Sequence, residues 1–284
     1  MKNFGIYFNP NYTDKEAVFN LLKKLYKTKK LSFYKFSEQK ELLPDFISCI
    51  DDYSEIHLDC ILSFGGDGTF LQAVSFSLKM KTPLLGINLG KLGFLSESSI
   101  AELEKSIDEL KNNKFKVQKR MLLKTVLKRN GKTIFSSLAL NDAVIYKGVT
   151  PKLIDIKFYC NRRFVVDTRC DGIIVSTPTG STAYSLSAGG PILSPVMDAI
   201  VVAPINPHIL SVRPMVFSLK DKISFRIRSL NGNSILQLDG KNSYTLQEND
   251  EVIVTGASQK VSFIKLTNKT FYQILRKKFY MGRK

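Results

Sequence analysis

Apolar residues in the first hundred positions fall in short β-like runs separated by stretches with helical spacing. The runs predict strands near 3–8, 31–36, 57–64 and 84–88, and the spacing between them predicts helices near 14–27, 38–49 and 70–79. Strands alternating with helices are the pattern of βαβ units on a parallel sheet. In the first helix Ala17, Val18, Leu21, Leu22 and Leu25 share a face, and Thr13 with Glu16 has the spacing of a capping box at its start. Ser99 with Glu102 repeats that spacing ahead of Ile100, Leu103, Ile107 and Leu110, which predicts a helix closing a first domain.

From Phe115 the period shortens. β-branched and aromatic runs alternate with turns, Asn130-Gly131 and Asn231-Gly232 among them, and predict a mainly antiparallel β domain. Beyond it Phe271, Ile274, Leu275 and Phe279 recur among basic residues and predict a last helix. The expected organisation is therefore an α/β domain over 1–113, a β-rich domain over 114–267, and a C-terminal helix over 268–284 packing on the first domain. No internal repeat, low-complexity tract or heptad run interrupts this order.

A chain of 284 residues suits about two domains, large enough to bury roughly 75% of its unfolded surface. It is 44% apolar and 24% charged, with no apolar run approaching the roughly 18 residues of a membrane span. Residues Met1 to Phe8 run directly into a strand without the layout of a secretory signal, so the expected location is the cytoplasm. Cys49, Cys60, Cys160 and Cys170 show no Cys-x-x-Cys spacing, and His57 and His208 stand apart from metal partners. Reduced packing cysteines are expected, with no metal ligand set. Forty-two basic against 25 acidic residues give +17, which attracts anions. The lysines are spread along the chain and form no compact basic block, so neither nucleic acid nor a membrane surface is an expected partner.

Residues 61–69, Ile-Leu-Ser-Phe-Gly-Gly-Asp-Gly-Thr, read as a strand, a phosphate-sized turn and the start of a helix. Gly65, Gly66, Gly68 and Thr69 would form a phosphate cradle, because glycines let the backbone approach an anion and a helix start offers N–H groups. Asp67 is the odd member: a negative charge there is repelled by polyphosphate, so its use is to hold a metal or to polarise a hydroxyl nucleophile. Phosphoryl transfer to an alcohol requires both. The plain alternative is an ordinary tight turn. Neither a G-x-x-x-x-G-K-[ST] nor a G-x-G-x-x-G pattern occurs.

A second element, Thr177 to Pro191, is rich in small and hydroxyl residues. Gly180, Ser181 and Thr182 can direct N–H groups and hydroxyls at a phosphate or purine edge, and Tyr184 offers a face for adenine; a mere connector is the alternative. Asn141-Asp142 interrupts what otherwise reads as a buried strand over 137–146. An amide beside a carboxylate suits ribose hydroxyls, whereas a bulge or strand-end turn is the bland reading. Arg169 and Asp171 bracket Cys170 ahead of the buried run Gly172 to Ser176, and Asp239-Gly240-Lys241 is most simply a hairpin turn.

In this order the elements resemble one family, the NAD kinases. The resemblance runs through Asn9-Pro10, Gly65 to Thr69, Gly86-Ile87-Asn88, Gly90 with Leu92-Gly93-Phe94-Leu95, and Asn141-Asp142. It continues through Asp171-Gly172, Ser176 to Pro191, Pro204 to His208, Arg213-Pro214 and Asp239-Gly240. It implies a Rossmann-like α/β domain followed by a β-rich domain, with the site in the cleft between them and assembly as a homodimer or homotetramer. It also implies phosphorylation of NAD to NADP with Mg²⁺ or another divalent metal and ATP as donor, polyphosphate being an open alternative. By resemblance Asp67 is the catalytic carboxylate near the acceptor hydroxyl, and Gly68 helps bind the dinucleotide phosphates. Asn141 and Asp142 would hold a ribose, Arg169 and Asp171 would approach the dinucleotide, and Thr182, Ala183, Tyr184 and Ser187 would line the adenine region together with Ser185 and Leu186. Lys152 falls about where the family often has a basic residue. Asp142 is one methylene shorter than the family's usual Glu, and Lys241 stands where Gln is usual, to pair with a phosphate or reach solvent. Lipid kinases of the diacylglycerol or sphingosine type, and more distantly phosphofructokinases, share the Gly-Gly-Asp-Gly turn, but Thr177 to Pro191 weighs against both. A non-catalytic dinucleotide- or RNA-binding regulator draws support from the +17 charge and is opposed by Asp67.

Overall fold

The computed structural model describes residues 1–54, 56–90, 93–149, 152–229, 234–266 and 270–280. Leu92 and the predicted turn at Asn231-Gly232 lie outside them. The chain divides into two units, Met1–Lys119 with Val261–Lys284, and Arg120–Lys260.

The first unit carries β1 (Asn3–Phe8), α1 (Lys15–Lys29), β2 (Ser32–Phe36), β3 (Ser48–Ile50), β4 (Cys60–Phe64), α2 (Asp67–Met80), β5 (Leu84–Asn88), β6 (Ser96–Ser99) and α3 (Leu103–Lys111). Its strands pair in parallel in the order β5-β4-β1-β2-β3, with β6 also parallel to β5. Phe4, Ile6 and Phe8 of β1 and Leu62 and Phe64 of β4 pack with Val18, Leu22 and Leu25 of α1 and Leu103, Ile107 and Leu110 of α3. Each large side chain removed from water contributes about 1.5–3 kcal/mol, so this apolar layer is what holds the sheet that ends in the glycine turn.

Two local expectations fail here. At α1 the residue flanking the helix is Asp14, without a side-chain cap, so the Thr13–Glu16 spacing is not used, whereas the Ser99–Glu102 box forms. The helix predicted over 38–49 is replaced by a 3₁₀ turn at Ser37–Gln39 followed by β3. Pro44 blocks a helix there. The Gln39 carboxamide also accepts the Phe8 N–H at 2.9 Å and donates to the Phe8 carbonyl at 2.7 Å, so a buried tertiary contact outweighs local propensity.

The second unit is built from β7 (Lys116–Arg129), whose first residues lie in the first unit, then β8 (Lys132–Ala139), β9 (Asp142–Tyr146), β10 (Ile154–Cys160), β11 (Arg163–Cys170) and β12 (Gly172–Ser176). A short α4 (Tyr184–Ser187) precedes β13 (Ala199–Ile205), β14 (Met215–Ser218), β15 (Ile223–Ser229), β16 (Ile235–Leu238), β17 (Lys241–Thr245) and β18 (Glu251–Lys265), whose last five residues return to the first unit. One antiparallel sheet contains β11-β10-β15-β18, and another runs β14-β13-β12-β9-β16-β17. Between β7 and β8 the predicted Asn130-Gly131 turn has φ of 51° and 77°, both left-handed as a two-residue hairpin requires. Leu123, Ile156, Phe158, Phe225 and Val252 meet Ile145, Ile173, Val175, Val202 and Leu236 in one core, while Val144, Ile174, Leu193 and Val201 form a second cluster. β12 is buried along its whole length for that reason.

At the chain's end Phe263 of β18 pairs in parallel with Leu84, and α5 (Phe271–Phe279) follows with a Thr270–Gln273 capping box. The rest of the helix predicted over 268–284 lies partly outside the described residues. The Phe279 ring lies 5.7 Å from that of Phe94, with the Lys278 ammonium over the same Phe94 ring. Burial pushes the Cys60 thiol up, and the Cys170 thiol up to about 12, as inert packing cysteines require. Among the described residues no helix is long and apolar enough to cross a membrane.

Candidate active site

In the first unit the site grows from the β4–α2 junction. The helix predicted from 70 already begins at Asp67, with Gly66 as its flanking residue. The first main-chain helical bond is Phe70 N–H to the Gly66 carbonyl, so the N–H groups of Asp67, Gly68 and Thr69 have no partner inside the helix. Gly66 and Gly68 are exposed, and a β-carbon on either would meet nothing within 4 Å. That leaves space for ligand atoms against a helix N-terminus. Thr69 is buried, and its hydroxyl lies 2.4 Å from where a Gly65 β-carbon would sit, so it shapes the turn from inside.

The Asp67 carboxylate accepts the Phe94 N–H at 2.9 Å and the Leu95 N–H at 3.0 Å, one on each oxygen. The approach depends on Gly93, where a β-carbon would stand 2.1 Å from Asp67 Oδ1. Each oxygen has a second lone pair, so the group is held in place while still able to accept a hydroxyl hydrogen. A negative charge in the first helical turn is also favoured by the helix dipole.

In the second unit the centre is the backbone of Asn141. The run 137–146 is not one strand, since β8 ends at Ala139 and β9 starts at Asp142, which puts Leu140 and Asn141 at a strand-end turn. Asp239 takes the N–H groups of Leu140, Asn141 and Asp142 at 2.8, 2.7 and 3.1 Å. From the other side the Asn141 carbonyl receives the Thr177 N–H at 2.8 Å and the Ser176 hydroxyl at 3.1 Å, and the Thr177 hydroxyl donates to the Leu140 carbonyl at 2.6 Å. Gly180 completes the contact, because a β-carbon there would fall 2.2 Å from the Asn141 carbonyl oxygen. Three predicted elements, Asn141-Asp142, Ser176 to Pro191 and Asp239-Gly240, thus meet.

This meeting changes the role of the hydroxyl-rich loop. Ser181 bonds Pro178 and Leu193, and Thr182 donates to the Thr179 carbonyl, so these hydroxyls brace the loop itself. Ser185 is fully buried against Gly190, away from solvent. Tyr184 and Ser187 are exposed at α4, Ala183 and Leu186 half-buried, and they form the loop's accessible face.

Arg169 and Asp171 are not brought to that turn. Ser176 faces Asp142 across the β12–β9 pair while Gly172, roughly 13 Å along the strand, faces Tyr146, and Asp171 lies beyond that opposite end. There Asp171 pairs with Lys147 at 2.7 Å and accepts from Asn206 at 2.9 Å, and these partners hold its carboxyl below the usual range. Arg169 is mostly exposed, 4.0 Å from Asp155, and Lys152 is exposed ahead of β10. The sequence contains a hint of Asp239 as a hairpin residue, and Asp239-Gly240 does turn β16 into β17, with φ of 49° and 70°. Its grip on Leu140 to Asp142, and Lys147 as partner of Asp171, had no local signal.

Burial, and then the charge of Asp239, push the Asp142 carboxyl up to about 7. Burial also raises Asp239, opposed by its three N–H donors and by the charge of Lys241. A cavity of about 610 Å³ in the first unit is lined by Tyr7, Gln39 and Gln72 with Glu38 and Glu41 against Lys40, and contains none of the predicted site residues. Its two carboxylates to one cation are the wrong balance for a polyphosphate. Among the described residues no three His, Cys, Asp or Glu side chains converge to hold a metal.

Comparison with known proteins matches residues 5–115 to a family model described as the ATP-NAD kinase N-terminal domain, and 140–266 to one described as the ATP-NAD kinase C-terminal domain. An NAD kinase of Desulforamulus reducens is 40% identical over 220 residues, 78% of this chain and 76% of that protein. One of Hydrogenovibrio crunogenus is 34% identical over 269 residues, 90% of this chain and 92% of its own. Among solved structures, yeast NADH kinase complexed with NADH superimposes with a TM-score of 0.88 at 27% identity, covering 100% of this chain and 89% of that one. An Archaeoglobus fulgidus NAD kinase in complex with ATP gives a TM-score of 0.75 at 25% identity, covering 99% and 100%.

Proposed function

The chain belongs to the ATP-NAD kinase family, and from that premise we propose that it transfers the γ-phosphoryl group of ATP to the 2′-hydroxyl of the adenosine ribose of NAD. The observation that carries the reading is Asp67, anchored by two backbone N–H groups at the start of α2 between two open glycines. The ribose oxygen attacks the γ-phosphorus in line, the new O–P bond forms as the bridge to the β-phosphate breaks, and ADP departs. The hydroxyl hydrogen points at the Asp67 carboxylate, which takes the proton once the bond is made. Because the transition state of such a transfer is loose, orientation matters more than early deprotonation.

Helix-terminal N–H groups at Gly68 support binding of a phosphate chain, Asn141 and Asp142 suit ribose hydroxyls, and the exposed Tyr184 suits stacking of adenine. ATP enters as its complex with a divalent ion. Such an ion would be held by phosphate oxygens and water and would offset the phosphate charge. Family membership also supports work in the cytoplasm and assembly as a homodimer or homotetramer, which sedimentation distinguishes. The lipid-kinase alternative rested on the shared glycine turn alone, and the match of 140–266 to an NAD kinase domain leaves it without support.

The test is NADP formation from NAD with ATP or polyphosphate, repeated with NADH as acceptor. In Asp67→Asn, kcat should fall by roughly 10² to 10⁴, about 3–5 kcal/mol of barrier, with NAD affinity little changed. Near-wild-type turnover of the purified variant would reject Asp67 as the acting group.

A further inference from the structure

We propose that Asp239 is a positioning residue for the dinucleotide site: by gathering three successive backbone N–H groups it fixes the turn from which Asn141 and Asp142 reach the ribose. The inference rests on the reading that these two side chains bind the dinucleotide.

Leu140 and Asn141 lie between two strands and Asp142 opens β9, and the N–H groups of all three find their acceptor in Asp239. A buried N–H left without an acceptor costs about 1–3 kcal/mol, so a single carboxylate satisfying three of them decides the local backbone path. The grip is reciprocal, because the Asp239 N–H donates to the Asp142 carbonyl at 3.0 Å. With the Asn141 carbonyl held by Thr177 and Ser176, the backbone of the turn is committed on both sides. What remains for a ligand is the pair of side chains, carried on a backbone that hydrogen bonds hold from both sides.

A purely structural clamp would not explain the neighbouring charge. Asp142 is 5% exposed and feels the charge of Asp239, an arrangement that opposes folding when both are ionised. Lys241, which follows the same turn, offsets part of it by acting on Asp239. Buried like charges of this kind persist where a binding or catalytic task needs them.

The decisive comparison is steady-state kinetics of Asp239→Asn, whose single amide oxygen cannot take both Oδ1 and Oδ2 donors and sets an NH₂ against the Leu140 N–H or against those of Asn141 and Asp142. The NAD KM should rise at least tenfold while the ATP KM stays within twofold. Asn130→Ala strains a similar left-handed turn elsewhere in the same unit and should lower Tm with the NAD KM unchanged. A folded Asp239→Asn protein with a wild-type NAD KM overturns the proposal. Should that variant fail to fold, amide exchange in the wild-type protein decides: the N–H groups of Leu140, Asn141 and Asp142 must be protected together, and exchange at the rate of exposed loops overturns it. Wild-type protein forming no NADP would reject the phosphotransfer reading instead, and calorimetric titration of NAD into both proteins would still decide the role of Asp239.

Discussion

At Asp142 two influences act in one direction. Burial and the facing Asp239 raise its carboxyl from an ordinary value of 3.8 to about 7. Between those values the native state keeps a proton that the unfolded chain has lost, so the protonated group's stability is full at acid pH and disappears as pH rises through about 7. Asp142→Asn, neutral at every pH, should therefore gain Tm relative to wild type on going from about pH 5 to pH 8. Thermal unfolding across that range checks the sign, and parallel curves for the two proteins would contradict it. Asp67 presents the contrasting case, a carboxylate saturated on one side by backbone donors and open on the other. Asp67 is placed by main-chain N–H groups from a distant segment, whereas Asp142 is placed through its own N–H, which donates to Asp239.

Elements of this protein are joined by side chains that act on a neighbour's backbone. Gln39 replaces a strand partner for Phe8, capping the end of β1 where a helix had been predicted from residue 38. Gln39→Ala would leave a buried N–H and carbonyl unmatched and should cost about 2–4 kcal/mol, measured by urea unfolding. A loss under 0.5 kcal/mol would mean that water or a local shift replaces the contact. The loop from Thr177 follows the same logic, since its hydroxyls bond its own carbonyls and that of Leu140, leaving α4 to face solvent with Tyr184 and Ser187. α5 likewise reaches the segment that holds Asp67, through Phe279 and Lys278 on the Phe94 ring.

For the whole molecule the relevant quantity is the +17 charge. Substrates and products of NAD phosphorylation are anions, and a positive field raises their encounter rate in a salt-dependent way. Increasing ionic strength from about 50 to about 300 mM should lower kcat/KM for NAD severalfold while kcat changes little. Stopped-flow or initial-rate measurements at constant pH would detect this, and a flat kcat/KM would assign the lysines to solubility alone. Each unit supplies its own apolar core, so the electrostatics act on ligand capture and not on holding the fold.

Local pattern was enough for the α/β-then-β order, the Asn130-Gly131 and Asp239-Gly240 turns, and the glycine turn with its acidic residue, because periodicity and glycine sterics act within a few residues. The motif order alone also pointed to the family. Pattern failed at 38–49, where a contact with Phe8 outweighed helical spacing, and at the hydroxyl loop, where composition could not tell inward from outward groups. The grip of Asp239 on Asn141 spans 98 residues of sequence, and the gap between Asp171 and Asp142 is set by strand register. Such pairings follow from which backbone groups are left unsatisfied once the sheets have formed, a quantity that exists only in three dimensions.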